Sequence, residues 1–219
     1  MSVNIRRSLT DLAGERYIDA VCQSAAALGF GTYAELRKIA DEEVDFFPPE
    51  FAARSEALTL RSGEKIAGGL DASFPGAPTA AFGKAFHRES APLCALGTVR
   101  VGENGKIAFI GKSEHYQASL GHNFPGYGLL VNAAKLGITN LTHNNTRGYL
   151  TRLLERELVR SANGIAPGDD DALEAVLRST EPHVLNRAVN LETGSLACVA
   201  AFKMALARFY RLQKDFPAP

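Results

Sequence analysis

The order of elements legible in the second half of this sequence, helix, helix, strand and a long closing helix, predicts an α/β layer fold. Three stretches carry the prediction. Residues 97–111, GTVRVGENGKIAFIG, place Val99 and Val101 before a Glu103-Asn104-Gly105 turn and Ile107, Phe109 and Ile110 after it. Asn-Gly accepts the positive backbone φ that a hairpin turn needs, so two short strands are expected. Residues 142–164 bring Leu150, Leu153, Leu154 and Leu158 onto one helical face, with Gly164 placed as a C-terminal cap. Residues 184–191, VLNRAVNL, read as a strand that runs into Thr193-Gly194-Ser195 and a largely apolar helix from about Ser195 to Arg211.

The rest of the chain is read in the same way. From Thr10 to Glu43 the spacing of Leu12, Tyr17, Ile18, Val21, Ala25 and Leu28 is helical, with Gly29 and Gly31 as punctuation. Thr32 followed by Glu35 is a capping-box pattern and predicts a second helix running towards Glu42. Pro48 and Pro49 are expected to stop regular structure. Residues 59–92 are rich in Gly, Ala, Ser and Pro without a sustained period, and read as an extended connection or a set of surface turns. That places the expected domain boundary there: a helical extension and linker at 1–92, and an α/β domain at 93–219. Beyond it, residues 121–138 predict a loop entering a helix at about 126–136 that Gly137 closes. Asp169, Asp170 and Asp171 favour a helix start through the macrodipole.

Composition bounds the function. Of 219 residues, 46% are hydrophobic, enough for a substantial core. Lys plus Arg and Asp plus Glu both total 24, so the net charge is zero, which argues against a broad nucleic-acid-binding face. Cys22, Cys94 and Cys198 are widely spaced and form no CxxC pair, as expected of free thiols in a reducing compartment. The N-terminal segment lacks the apolar run of a signal peptide, and residues 196–210 are interrupted by Lys203 and Arg208. A cytoplasmic protein with no membrane span is the expectation. The histidines, at 87, 115, 122, 143 and 183, show neither His-x-His nor His-Glu-x-x-His spacing, so no metal site is expected.

One stretch carries chemistry. Where residues 190–210 turn from strand to helix at Gly194-Ser195, the first helical amides have no intrahelical partners and the peptide dipoles add partial positive charge. Glycine lets an anion approach the backbone and a serine hydroxyl adds a donor, so Gly194 and Ser195 form a candidate phosphate cup. The bland reading of Gly-Ser before a helix is capping alone. No Walker or Rossmann glycine pattern is present.

The run from Gly102 to Tyr210 resembles class III aminotransferases, of the fold-type-I pyridoxal-phosphate family, over about half of the chain. The resemblance rests on an ordered series. It comprises the hairpin GENGKIAFIG, the Gly-His-x-x-Pro loop at 121–125, a helix, the Thr-His-Asn-Asn stretch at 142–145, a long helix, then the Gly-Ser turn and a helix ending Ala207-Arg208-x-Tyr210. It implies a partial pyridoxal-phosphate-transferase-like fold, comprising the N-terminal part of the large domain plus small-domain elements, behind a helical extension. It implies that Gly194 and Ser195, completed by the amide of Leu196, bind the phosphate of pyridoxal phosphate. It also implies that His115 and Tyr116, in the loop 112–123, face substrate. Packing of Tyr116 beneath its loop, with His115 solvated, is the alternative for that pair. His122 is read as structural, His143 as lying near a subunit interface, and Asn144 and Asn145 as a helix-capping loop. Two departures stand out: the family usually has an acidic residue where this chain has Leu196, and Asn-Ser where it has Glu192-Thr193.

In that family the lysine that holds the cofactor, the carboxylate on its ring nitrogen and the stacking aromatic all lie downstream of the Gly-Ser helix. Here RLQKDFPAP follows that helix, and Lys112, Lys203 and Lys214 are not placed for the role. No catalytic residue is therefore assigned. The expected function is a transaminase, moving an amino group between an amino donor and a keto acid or aldehyde, truncated before its lysine and inactive alone. The partners implied are those small molecules and a second copy, as a homodimer, or a complementary chain. The alternative is a non-catalytic assembly module or pseudoenzyme, since the α-helical apolar faces at 150–158 and 196–210 would drive association if uncovered.

Overall fold

A computed structural model describes residues 5–74, 76–110, 120–141, 145–191 and 193–209. They form a mixed α/β chain with two small sheets, of two and three strands. The chain divides into two compact units, Met1–Ile138 and Thr139–Pro219.

The first unit opens with β1 (Arg6–Arg7), α1 (Leu9–Ala13), α2 (Glu15–Ala27), α3 (Tyr33–Ala40) and β2 (Val44–Asp45). The single helical segment expected at its start is broken at Gly14, which adopts φ +85° between α1 and α2. Both capping boxes in this region are formed. Ser8 Oγ accepts from the Asp11 amide at 3.1 Å while Ser8 N–H donates to Asp11 Oδ2 at 2.8 Å. Thr32 Oγ1 accepts from the Glu35 amide at 3.3 Å, and Thr32 N–H donates back to Glu35 Oε2 at 2.9 Å. Along α2, Ile18, Cys22 and Ala25 share one helical face and are buried. They meet a core that includes Leu36 and Ala40 of α3. Full burial of a side chain the size of Ile18 or Leu36 contributes about 1.5–3 kcal/mol. Arg37 ties the outer faces together, reaching Glu15, Asp19 at 3.5 Å and Asp41 at 2.9 Å.

The Pro48-Pro49 pair starts a helix rather than ending structure: α4 spans Pro49–Leu60 with Pro48 at its N-cap. Proline suits the first helical position, where its missing N–H would have had no partner. After α5 (Ala80–Ala85) come β3 (Pro92–Leu96), β4 (Val99–Gly102) and β5 (Ile107–Phe109), an antiparallel sheet in the order β3-β4-β5. The expected hairpin is β4–β5, with Val101 opposite Ile107 and Val99 opposite Phe109. Gly105 at its tip has φ +77°, and a Cβ there would lie 2.1 Å from the Ala67 carbonyl oxygen. That crowding shows what residues 59–92 do. They clasp the hairpin, with Ile66 N–H donating to Gly105 O at 2.9 Å and Leu70 N–H to Glu103 O at 2.7 Å.

A short 3-10 turn at Pro125–Tyr127 leads into α6 (Gly128–Lys135). Phe124 is buried there, edge-on to Phe46, Phe47 and Tyr127 at centroid distances of 5.7, 5.4 and 5.5 Å. Gly137, at φ +65°, closes α6 as expected. The hairpin and α6 thus pack with the N-terminal helices inside the first compact unit, which runs to Ile138.

The second unit holds α7 (Tyr149–Ala162), α8 (Asp170–Arg178) and α9 (Gly194–Phe209). The N-cap position of α7 is Gly148, and Gly164 follows its end at φ +63°. The face that α7 buries is Thr151, Val159 and Arg160, while Leu154 and Leu158 remain 49% exposed. Arg160 links α7 to the start of α8. It donates to Asp170 Oδ1 at 2.6 Å and to the carbonyl oxygens of Ala166 and Asp169, both at 3.1 Å.

Residues 184–191 form no strand. Their β propensity finds no ladder partner, and a strand without one leaves its backbone groups unpaired. Side chains fix the segment instead. Arg187 Nη1 donates to Leu177 O at 2.6 Å, Asn186 Nδ2 to Ser179 O at 2.5 Å, and Asn163 Nδ2 to Leu185 O at 2.8 Å. Among the described residues, no helix is long and apolar enough to cross a membrane.

Candidate functional site

The residues expected to bind phosphate lie at the start of α9. Thr193 acts as the cap. Its Oγ1 accepts from the Leu196 amide at 3.1 Å, and its carbonyl accepts the first helical hydrogen bond, from Ala197, at 3.0 Å. The amides of Gly194 and Ser195 lie between those two and have no acceptor among the described residues. Thr193, Gly194, Ser195 and Leu196 are all exposed. Two N–H groups without a described acceptor therefore lie on exposed residues at the positive end of a 16-residue helix, whose dipole is equivalent to roughly half an elementary charge there.

Gly194 has φ outside the left-handed region, and a Cβ at this position would meet nothing within 4 Å. Neither backbone conformation nor packing demands glycine here. What its missing side chain supplies is room beside two free amides, which is what an oxyanion needs. Leu196 differs from the other two: its amide serves the Thr193 cap, and its side chain, 45% exposed, adds an apolar edge.

α9 has an unusual surface. No residue along it is buried, although Leu196, Val199, Phe202, Met204 and Phe209 are large apolar side chains. Lys203 lies nine positions beyond Gly194, roughly 13 Å along the axis at 1.5 Å per residue. It rides on the rod rather than facing its end.

The other expected site residues are placed unevenly. His115 and Tyr116, like His143 and Asn144, lie outside the described residues. His122 was expected to hydrogen-bond its own loop, but its side-chain Nε2 is buried without a hydrogen-bond partner among the described residues. Its backbone pairs with Gly97, through Gly97 N–H to His122 O at 2.8 Å and His122 N–H to Gly97 O at 3.0 Å. No cluster of three or more His, Cys, Asp or Glu suited to a metal ion is found among the described residues. Cys22 is buried, and desolvation raises its thiol pKa, which keeps it protonated; Cys94 and Cys198 are exposed.

A second feature was not anticipated from the sequence. A cavity of about 490 Å³ lies between α7, α8 and residues 186–188, and four arginines line it. The signal was present in the i,i+4 spacing of Arg152 and Arg156 on α7. What sequence alone does not reveal is that Arg178 and Arg187 join them, because the fold of 184–191 was misread.

No family model matches this sequence, and neither a curated protein nor a solved structure matches it.

Proposed function

We propose that this chain is the phosphate-anchoring part of a class III aminotransferase-like protein, with the start of α9 as the seat for the phosphate of pyridoxal phosphate. The observation that carries the reading is the pair of amides at the exposed Gly194 and Ser195 that have no acceptor among the described residues. The residues fit the group in three respects. The turn is open to water, the helix end is positive, and the glycine leaves space for oxygen atoms against the backbone. The resemblance of residues 102–210 to that family supplies the identity of the cofactor, and the partial transferase-like fold is part of the same reading.

Within it, Gly194 and Ser195 donate backbone N–H groups to the phosphate, and the Ser195 hydroxyl adds a third donor. Thr193 holds the helix start in shape, which keeps the two amides parallel. Bound there, pyridoxal phosphate would supply an electron sink for amino-group transfer. Lys203 lies along α9 rather than at its start, and in this reading the chain anchors and orients the cofactor without transferring an amino group by itself. His115 and Tyr116 remain the proposed substrate-facing pair, with an amino donor and a keto acid or aldehyde as substrates.

Pyridoxine 5′-phosphate tests the reading, because it has the ring and the phosphate but no aldehyde to react with surface lysines. Saturable binding is expected, weakened by Ser195→Ala and by Gly194→Ala, with pyridoxine lacking the phosphate a poor competitor. Binding that is indifferent to both substitutions overturns it.

A second reading is favoured by one observation, that no described residue of α9 is buried. A non-catalytic assembly role, in which α9 docks on a second copy or a complementary chain, follows from that uncovered apolar surface. Sedimentation of the full chain separates the two. A clean monomer across a wide concentration range would count against assembly, and concentration-dependent association that Phe202→Glu abolishes would support it.

A further inference from the structure

The cavity between α7 and α8 has a charge pattern that the fold does not use up. Arg152, Arg156, Arg178 and Arg187 line it, with Glu155 and Glu174 as the lining carboxylates, so the walls carry a net charge of +2. The pairings are unequal. Glu174 takes both Arg156, at 2.8 Å, and Arg178, at 3.8 Å. Glu155 is engaged by Arg147, at 3.4 Å, from outside the cavity. Arg187 donates only to carbonyl oxygens, of Leu177 and Asn186, both at 2.6 Å. Arg152 has a single long hydrogen bond, to Gly148 O at 3.4 Å. Among the described residues neither Arg152 nor Arg187 has a carboxylate within salt-bridge distance.

Arg152 and Arg187 thus line one cavity without a described counter-charge, and each guanidinium is itself a planar fork of N–H donors. Guanidinium groups pair with tetrahedral and planar oxyanions through parallel N–H donors, and a dianion would balance the +2 of the walls. The space is far larger than one oxyanion and falls within the range of small-molecule sites, roughly 300–1,000 Å³. Val159 and Leu177 supply apolar wall. We infer that this cavity binds a phosphate monoester of a small organic molecule, its phosphoryl group held by Arg152 and Arg187 and its organic part against Val159 and Leu177. The inference is independent of the role proposed for α9, since no residue is shared.

The test is a titration of the full chain with inorganic phosphate, phenyl phosphate and benzoate, followed through the arginine Nε–Hε resonances. Phosphate and phenyl phosphate are expected to shift Arg152 and Arg187 saturably, with phenyl phosphate binding more tightly because its ring meets the apolar wall. Loss of one charge-assisted bond in Arg152→Gln should weaken phenyl phosphate by roughly ten-fold or more. Arg152 is the variant of choice because it contributes little to the local fold. Arg61→Gln, with the same loss of charge in the other compact unit, should leave binding unchanged. Three results would each overturn the inference: no shift at these resonances, equal weakening by Arg61→Gln, or benzoate binding as well as phenyl phosphate. The last would instead point to a carboxylate ligand such as an acidic peptide.

Discussion

Thr193 caps α9 by accepting the amide of Leu196 at 3.1 Å, and in doing so it leaves the two preceding amides, of Gly194 and Ser195, to solvent. One hydroxyl thus caps the turn, and the two amides before Leu196 have no acceptor among the described residues. Thr193→Val removes that acceptor while keeping the shape of the side chain. Loss of an N-cap costs about 1 kcal/mol, so helicity at the start of α9 should fall, read as lost amide protection at Leu196 and Ala197. Anion binding at Gly194 should weaken with it, because the donors lose their common orientation.

Gly194→Ala separates stability from function. The added methyl meets nothing within 4 Å, and alanine is a better helix former than glycine by up to about 1 kcal/mol. The variant should melt no lower than the parent chain, while its affinity for pyridoxine 5′-phosphate falls. A variant that loses stability as well would show that glycine serves the fold here.

Glycine at the hairpin tip answers to a different constraint. At Gly105 the backbone is left-handed and a Cβ would stand 2.1 Å from Ala67 O. Gly105→Ala must therefore displace the 65–70 clasp, at a cost of about 2 kcal/mol or more. Denaturant unfolding of the first unit should register the loss directly.

These glycines also show how far the sequence could be read. The hairpin was legible because Asn-Gly is a local turn signal, and the Thr32–Glu35 capping box because its partners are three residues apart. α7, α8 and α9 followed from helical spacing and flanking caps. What was not legible depended on partners distant in sequence. Residues 65–70 look like a linker until they are seen bonded to Gly105 and Glu103. Residues 184–191 look like a strand, but the ladder they would need is absent among the described residues, and side chains of Asn186 and Arg187 hold them to α8 instead. The helix start at Gly194 could be read because a helix start is local chemistry, whereas the arginine cavity required three separate segments to meet.

Acid should destabilise the first unit. The Arg37 guanidinium, followed by the Thr10 hydroxyl, holds the Asp41 carboxyl below its ordinary pKa. The Ser8 backbone amide does the same for Asp11, and that of Thr32 for Glu35. A depressed folded-state pKa means that the unfolded chain takes up protons first. The stabilisation is then fully present above the unfolded carboxylate range, near pH 4, and is lost as pH falls through the lower folded values. Urea midpoints measured from pH 7 downward should decline below about pH 4–5. Asp41→Asn should start from a lower midpoint at neutral pH and show a shallower decline.

In the second unit, Arg160 is the residue on which the α7–α8 junction depends. Buried and bonded to Asp170 and two carbonyl oxygens, it cannot be removed without leaving those acceptors unpaired. Arg160→Met should lower the melting midpoint of this unit and collapse the neighbouring cavity. Arg178→Gln, whose side chain is 82% exposed, should leave the midpoint nearly unchanged.

The most direct test is to follow the backbone amide resonances of the ¹⁵N-labelled chain while pyridoxine 5′-phosphate is added. If the first turn of α9 seats a phosphoryl group, Gly194 and Ser195 shift together, saturably, and with one dissociation constant, and Ser195→Ala raises that constant. If those two resonances stay still while the ligand binds elsewhere or not at all, the start of α9 is a capped helix end and nothing more.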